Sequence, residues 1–247
     1  MADETHQARA RSFGALAADY AEHRPDYPEA GIRWVLAAAT RPVRSVLDLA
    51  AGTGKLTAGL LSLGLTVTAV EPDDDMRAEL TRRFPEVEAL AGTAEAIPLA
   101  DDSVDAVLVG QAFHWFDHGP ALDEMGRVLR PGGAVGLLWN GEDESVEWVA
   151  GLMAVTGTSV SRVAPFEVPA NPLFGEPEEA VFAHTHRRTA ASLAATLGTT
   201  SRMIVIPEAE RAATLGRIEE YLATRPETAD GEFDVPLRTT VVRTGRR

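Results

Sequence analysis

Between residues 45 and 140 the apolar positions fall in short Val- and Leu-rich runs, separated by stretches where they recur at helical spacing. Runs at 45–50, 66–71, 87–91, 104–109 and 133–139 read as strands, and the first four are apolar enough to be buried on both faces of a sheet. Helices are predicted at 54–63, 74–84 and 118–129. Such alternation is the pattern of a parallel sheet. Leu129-Arg130-Pro131-Gly132-Gly133 ends the last of these helices, because Pro cannot continue it and Gly accepts a left-handed turn.

The flanks are less periodic. Residues 7–20 read as a helix with Phe13 on its apolar face, a turn-rich stretch covers 23–28, and a second helix lies near 29–39. Beyond Asn140, a helix is expected at 143–156, a Pro-rich connection at 165–177, a strand at 178–186, a helix at 207–223 and a final strand at 233–243. The expected organisation is one α/β domain: an N-terminal helical cap (1–40), a core (41–140), a substrate-covering insert (141–206) and a C-terminal helix and strand (207–247).

Size and charge narrow the function. A chain of 247 residues, 45% hydrophobic and 24% charged, fits one such domain with additions. Zero cysteines exclude disulfides, thiolate catalysis and cysteine metal sites. The polar opening Met1-Ala2-Asp3-Glu4 argues against a secretory signal, and no run approaches the ~18 apolar residues of a membrane span, so a cytoplasmic protein without a membrane partner is expected. A net charge of −14 speaks against nucleic acid as a partner. Arg82-Arg83, Arg187-Arg188 and the tail Arg243 to Arg247 are too short to form a basic stripe.

The chemistry sits in Val46-Leu47-Asp48-Leu49-Ala50-Ala51-Gly52-Thr53-Gly54-Lys55-Leu56, a buried strand running through a glycine turn into a helix. Glycines there let a ligand approach the backbone and permit positive φ, and the helix start offers free N–H groups. Glu71 stands seventeen positions beyond Gly54, at the end of the second strand, where a carboxylate can accept from both hydroxyls of a ribose. Three ligands compete for this nucleoside pocket. A phosphate-binding Walker loop fails, because Lys55 is followed by Leu56 rather than Ser or Thr. A dinucleotide fingerprint lacks its third glycine, since Thr57 stands there and Gly59 comes two residues late. S-adenosylmethionine has no pyrophosphate and tolerates the shorter loop.

The sequence resembles the class I S-adenosylmethionine-dependent methyltransferases, of the type 11 methyltransferase-domain family. The likeness covers roughly residues 10–140 and rests on six ordered segments. They are Leu47 to Gly54, Val70-Glu71-Pro72, Gly92 to Pro98 (with Thr93-Ala94-Glu95), Ser103 to Val107, Gln111 to Phe116, and Arg127 to Gly133. It implies a Rossmann-like, seven-stranded, mostly parallel sheet with helices on both faces and an antiparallel last strand. It also implies methyl transfer to O, N or C of a small-molecule acceptor, with S-adenosylhomocysteine as product.

By that resemblance Ala50, Gly52 and Gly54 approach the methionine half of the cofactor, Asp48 orients the loop, and Glu71, followed by Pro72, takes the ribose hydroxyls. Thr93, Ala94 and Glu95 lie along the adenine; many relatives carry Asp where this chain has Thr93. Gln111 is placed against the methionine moiety, and Tyr20 and Arg24 belong to a segment that folds over the cofactor, Arg24 suiting a carboxylate. Plainer roles stand beside these: Asp48 as a loop cap, Thr93 as a turn residue, Phe13 as packing.

The sulfonium already activates the methyl group, so the chain's main task is to place the acceptor in line. His114, just past the fourth strand, is the candidate base, with packing of the site wall as the equal alternative. Trp115, Phe116, Trp139 and Asn140 are expected around the acceptor pocket. No metal is expected: His184 and His186 share a strand face without a third ligand, and Glu142, Asp143, Glu144 and Glu147 read as a solvated helix start. A monomer or homodimer is expected. The alternative activities are a cyclisation or rearrangement in the same pocket, or non-catalytic cofactor binding.

Overall fold

The computed structural model describes residues 24–157, 168–198, 203 and 206–247. The predicted helix at 7–20, with Phe13 and Tyr20, lies outside the described residues. Elements are numbered along the described chain: α1 Glu29–Leu36, β1 Ser45–Leu49, α2 Lys55–Ser62, β2 Thr66–Val70, α3 Asp74–Arg83, β3 Glu88–Leu90, β4 Val104–Gly110, α4 His118–Val128, β5 Leu129–Glu142, α5 Glu147–Thr156, β6 Glu178–Thr189, α6 Ala190–Gly198, α7 Glu208–Ala223 and β7 Glu232–Gly245.

The strands form one seven-stranded sheet in the order β3-β2-β1-β4-β5-β7-β6. β1 pairs in parallel with β2 and β4, β2 with β3, and β4 with β5. Only β7 runs against the rest, wedged between β5 and β6. Strand alternation gives two cores. Leu47, Leu49, Val107, Val109 and Leu137 face α4, with Leu122, Met125 and Val128. Val46, Ala69, Leu108, Leu138 and Val241 face Ile32 and Val35 of α1, Leu60 of α2 and Leu80 of α3. Each such fully buried Leu or Val contributes about 1.5–3 kcal/mol.

Local signals explain the element ends. The Asp73 carboxylate caps α3, accepting from the amides of Asp75 (3.1 Å) and Met76 (2.9 Å), and the acidic first turn and basic last turn suit the helix dipole. β5 starts earlier than the predicted residue 133. Leu129 already pairs with Val104 and the next pair is Ala106 with Ala134, so the Arg130–Gly133 turn bulges within the strand rather than preceding it.

A third core forms where β7 outruns the sheet. Phe233, Val235 and Leu237 pack with Trp148, Leu152, Leu193, Leu197, Ile218 and Leu222 of α5, α6 and α7. Residues 141–206 therefore supply an edge strand and two helices of this layer. α6 was missing from the sequence reading, although its Ala-rich composition and the Leu193/Leu197 spacing are helical. No helix among the described residues is long and apolar enough to cross a membrane.

Candidate active site

The carboxyl ends of β1, β2 and β4 converge where an open α/β sheet binds its ligands. β1 delivers Asp48 buried, at 1% exposure. Its Oδ2 accepts from the Thr57 hydroxyl at 2.5 Å, while Oδ1 is buried with no hydrogen-bond partner among the described residues. Burial pushes this carboxyl up to about 7, with nearby Glu71 adding to the rise against the donors of Thr57. Thr57 therefore supports Asp48; the sequence reading saw it only as the absence of a third glycine.

The loop that follows is wound tightly. Ala50, Gly52 and Gly54 all have positive φ, at 56°, 55° and 85°. The two glycines serve different ends. A Cβ on Gly52 would meet nothing within 4 Å, leaving its face open, whereas one on Gly54 would lie 2.7 Å from the Phe84 ring. Gly52 thus fits the expected ligand approach, and Gly54 is needed for packing against Phe84 beyond the end of α3.

Glu71 closes the other side. It is 7% exposed, accepts from the Gly52 amide at Oε2 (2.8 Å) and from the Asp73 amide at Oε1 (2.9 Å). Burial raises its pKa, opposed by those two amide donors. A carboxylate has about four lone pairs, so two acceptor positions remain. Pro72 follows on the surface, as does Thr93, which bridges to Ala96. Ala94 is buried in the α4-side core, and Glu95 accepts from the Asp117 amide at 2.9 Å.

At the end of β4, Gln111 also has positive φ (59°). Its amide N–H reaches Leu138 O, and its side-chain Nε2 donates to Asn140 O at 2.9 Å, so the group expected against the methionine moiety ties β4 to β5. Trp139, expected at the pocket, turns into the α4-side core, as strand alternation with Asn140 requires. His114 is exposed on a short turn, with its ring 4.7 Å from that of Trp115.

Residues 24–28 form a strap across this edge. Asn140 Nδ2 donates to the carbonyls of Pro25 (3.4 Å) and Asp26 (3.2 Å), Lys55 Nζ donates to Asp26 Oδ1 (3.1 Å), and the Tyr27 hydroxyl lies 2.5 Å from where Gly110 would carry a Cβ. Arg24 is half-buried near Glu142 and favours its ionised form, while burial raises that carboxyl's pKa. The Thr239 hydroxyl donates to Asn140 Oδ1 (2.5 Å) and lies 2.9 Å from His184 Nε2. None of the strap contacts, nor the link from Asn140 to His184, was foreseen from the sequence; they join residues 29 to 115 positions apart. The acidic stretch after β5 holds no metal-type cluster among the described residues.

Residues 47–137 match the family model described as a methyltransferase domain. The chain is 42% identical over 237 residues to an uncharacterized methyltransferase of Mycobacterium tuberculosis, covering 94% of each. An uncharacterized methyltransferase-like protein of Schizosaccharomyces pombe is 33% identical over 224 residues, 87% of this chain and 88% of that one. Among solved structures, a candidate type II methyltransferase from Anaeromyxobacter dehalogenans superposes with a TM-score of 0.64 at 27% identity, over 90% of this chain and 97% of that one. The YcgJ protein from Bacillus subtilis shares the fold, with a TM-score of 0.52 at 20% identity, over 89% and 99% of the two chains. With its glycine loop, its paired Asp48 and Glu71 and its strand order, the chain belongs to the class I S-adenosylmethionine-dependent methyltransferases of the methyltransferase-domain family.

Proposed function

We propose that this enzyme binds S-adenosylmethionine at the β1–β2 edge and methylates O, N or C of a small-molecule acceptor. The observation that carries the reading is Glu71, whose buried carboxylate is held by the Gly52 and Asp73 amides with acceptor capacity to spare for a ribose. The residues fit the cofactor on two further counts: Asp48 Oδ1 is buried and unpaired, and the Gly52 face is open. Asp48, the Ala50–Gly54 loop and Glu71 would hold it, with Ala94 and Glu95 along the adenine and Arg24 and Gln111 toward the methionine end. The bound sulfonium supplies a methyl group that needs no further activation.

The chain's own residues then orient and enclose. The strap held by Asn140 and Lys55 screens the edge, and proximity supplies most of the acceleration. His114, exposed at the rim, takes the acceptor's proton where the acceptor must lose one. The net charge of −14 favours a small acceptor over a polynucleotide.

Calorimetric titration with S-adenosylhomocysteine, with NAD in parallel, tests the cofactor. Binding of S-adenosylhomocysteine alone supports the reading; its failure to bind a folded sample overturns it. Product mass after turnover separates methylation, which adds one CH₂, from rearrangement, which adds nothing.

A further inference from the structure

Residues 91–99, between β3 and β4, carry no helix and no strand pairing beyond the single Thr93↔Ala96 bridge. They are nevertheless fastened at several points. Ala94 and Ile97 are buried in the core beneath α4. A Cβ on Gly92 would lie 2.6 Å from Pro98, so the loop closes on its own start.

The polar fastening comes from α4. The Ile97 amide donates to Glu124 Oε2 (2.8 Å), and the Ile97 carbonyl accepts from Arg127 Nη2 (2.8 Å). Arg127 Nη1 donates to Leu99 O (2.7 Å) and to Asp101 Oδ1 (2.8 Å). The two α4 side chains grip each other bidentately, Nε to Oε1 at 2.6 Å and Nη2 to Oε2 at 2.7 Å. The Arg127 guanidinium, against burial and with the Ile97 amide, holds the Glu124 carboxyl below the usual carboxylate range. A further tie is Glu95, whose Oε1 accepts the Asp117 amide just before α4 (2.9 Å). Ordering a loop costs conformational entropy, and here folding has met that cost before any ligand arrives.

We infer that Glu124 and Arg127 are positioning residues for the base of the cofactor. By fixing both backbone groups of Ile97 they hold Thr93–Glu95 in place and set how sharply the enzyme distinguishes adenine from other purines. The inference rests on the cofactor reading above, which lays Ala94 and Glu95 along the adenine. With Oε1 engaged by the Asp117 amide, the Glu95 carboxylate keeps lone pairs. These suit the 6-amino donor of adenine and repel the 6-oxo oxygen of hypoxanthine.

The full-length chain is titrated by calorimetry with S-adenosylhomocysteine and with S-inosylhomocysteine, whose base carries oxygen in place of the 6-amino group. The wild type should bind the adenine compound at least tenfold more tightly. Arg127→Ala should shrink that ratio at least fivefold. Arg127→Lys keeps the charge but cannot span both carbonyls, and Glu124→Gln keeps an oxygen for the Ile97 amide but loses the ion pair. Each should shrink the ratio about threefold, and these two carry the test if Arg127→Ala does not fold. Asp105→Asn, at the far end of β4, should lower the melting temperature and leave the ratio within twofold, which separates positioning from general destabilisation. The Ile97 amide should exchange its hydrogen faster in Arg127→Lys than in the wild type. A ratio that Arg127→Lys and Glu124→Gln leave unchanged overturns the inference and spares the cofactor reading, as does a wild type that binds both compounds equally. If neither compound binds the folded wild type, the cofactor reading falls and this inference with it.

Discussion

The carboxylate of Glu71 accepts the amide N–H of Gly52 at 2.8 Å, so one side chain from the end of β2 fixes the loop that leaves β1. Glu71→Gln keeps an acceptor for that amide but gives up the charge. We expect S-adenosylhomocysteine affinity to fall about 10- to 100-fold, the worth of a charge-assisted hydrogen bond, with a loss of melting temperature smaller than in Glu71→Ala, because the NH₂ that replaces one oxygen leaves the Asp73 amide without its acceptor. Glu71→Ala should lose more affinity and also stability, because both amides are orphaned. Wild-type affinity in Glu71→Gln, measured by calorimetry, would remove Glu71 from the ribose role.

Two glycines in the same loop should respond differently to alanine. Gly52→Ala faces only the strain of its positive φ, about 1–2 kcal/mol, and should chiefly impair cofactor binding. Gly54→Ala adds a clash with Phe84 at 2.7 Å, bringing the loss to about 2–4 kcal/mol. Denaturant melts of both variants check the ordering; equal stabilities would contradict it.

Asp48 gives stability a pH dependence. Burial lifts its pKa from 3.8 to about 7 in the folded chain. An acid raised on folding adds stability below its unfolded pKa, and that contribution is lost as pH rises from about 4 to 7. Asp48→Asn keeps an acceptor for Thr57 and has no charge to bury. It should exceed the wild type at pH 8 by up to about 4 kcal/mol, with the gap narrowing by pH 5, while binding S-adenosylhomocysteine less well. Guanidinium melts at the two pH values decide this; a gap that does not widen with pH would show the charge to be compensated.

Asp105, at the opposite end of β4, works in the other sense. Burial pushes its carboxyl up, but the amides of Ser45 and Arg44, the Arg130 guanidinium and the Ser45 hydroxyl together hold it at about 2. Its stabilisation is present above the ordinary carboxylate pKa and is lost as pH falls from about 4 to 2. Asp105→Ala leaves Arg130 (3.0 Å) and two amides without their partner and should cost about 3–5 kcal/mol. S-adenosylhomocysteine affinity, measured below the melting range, should not move; a change there would tie this anchor to the site.

The sheet was legible because its strands are short apolar runs punctuated by Gly and Pro, and the glycine loop with Glu71 was legible because spacing alone defines it. The helix expected at 74–84 was legible too, although the capping of its start by Asp73 emerges only in the structure. What the sequence hid depends on distant pairing. Nothing near Asn140 announces that it will hold the carbonyls of Pro25 and Asp26. Nothing near His184 announces Thr239, fifty-five residues away. The bulge of Arg130–Gly133 was mistaken for a plain turn because Pro and Gly serve both structures.

β7 follows both β5 and β6 in the chain yet lies between them. During synthesis β5 and β6 therefore wait without a shared neighbour until Glu232–Gly245 has emerged and inserted. β1, β2 and β4, which carry Asp48, Glu71 and Gln111, can pair long before that moment. The pairing of β6 with β7, which brings His184 to Thr239, exists only after it. The edge that carries Asp48 and Glu71 can thus form early, and the β6–β7 ribbon only with the last strand.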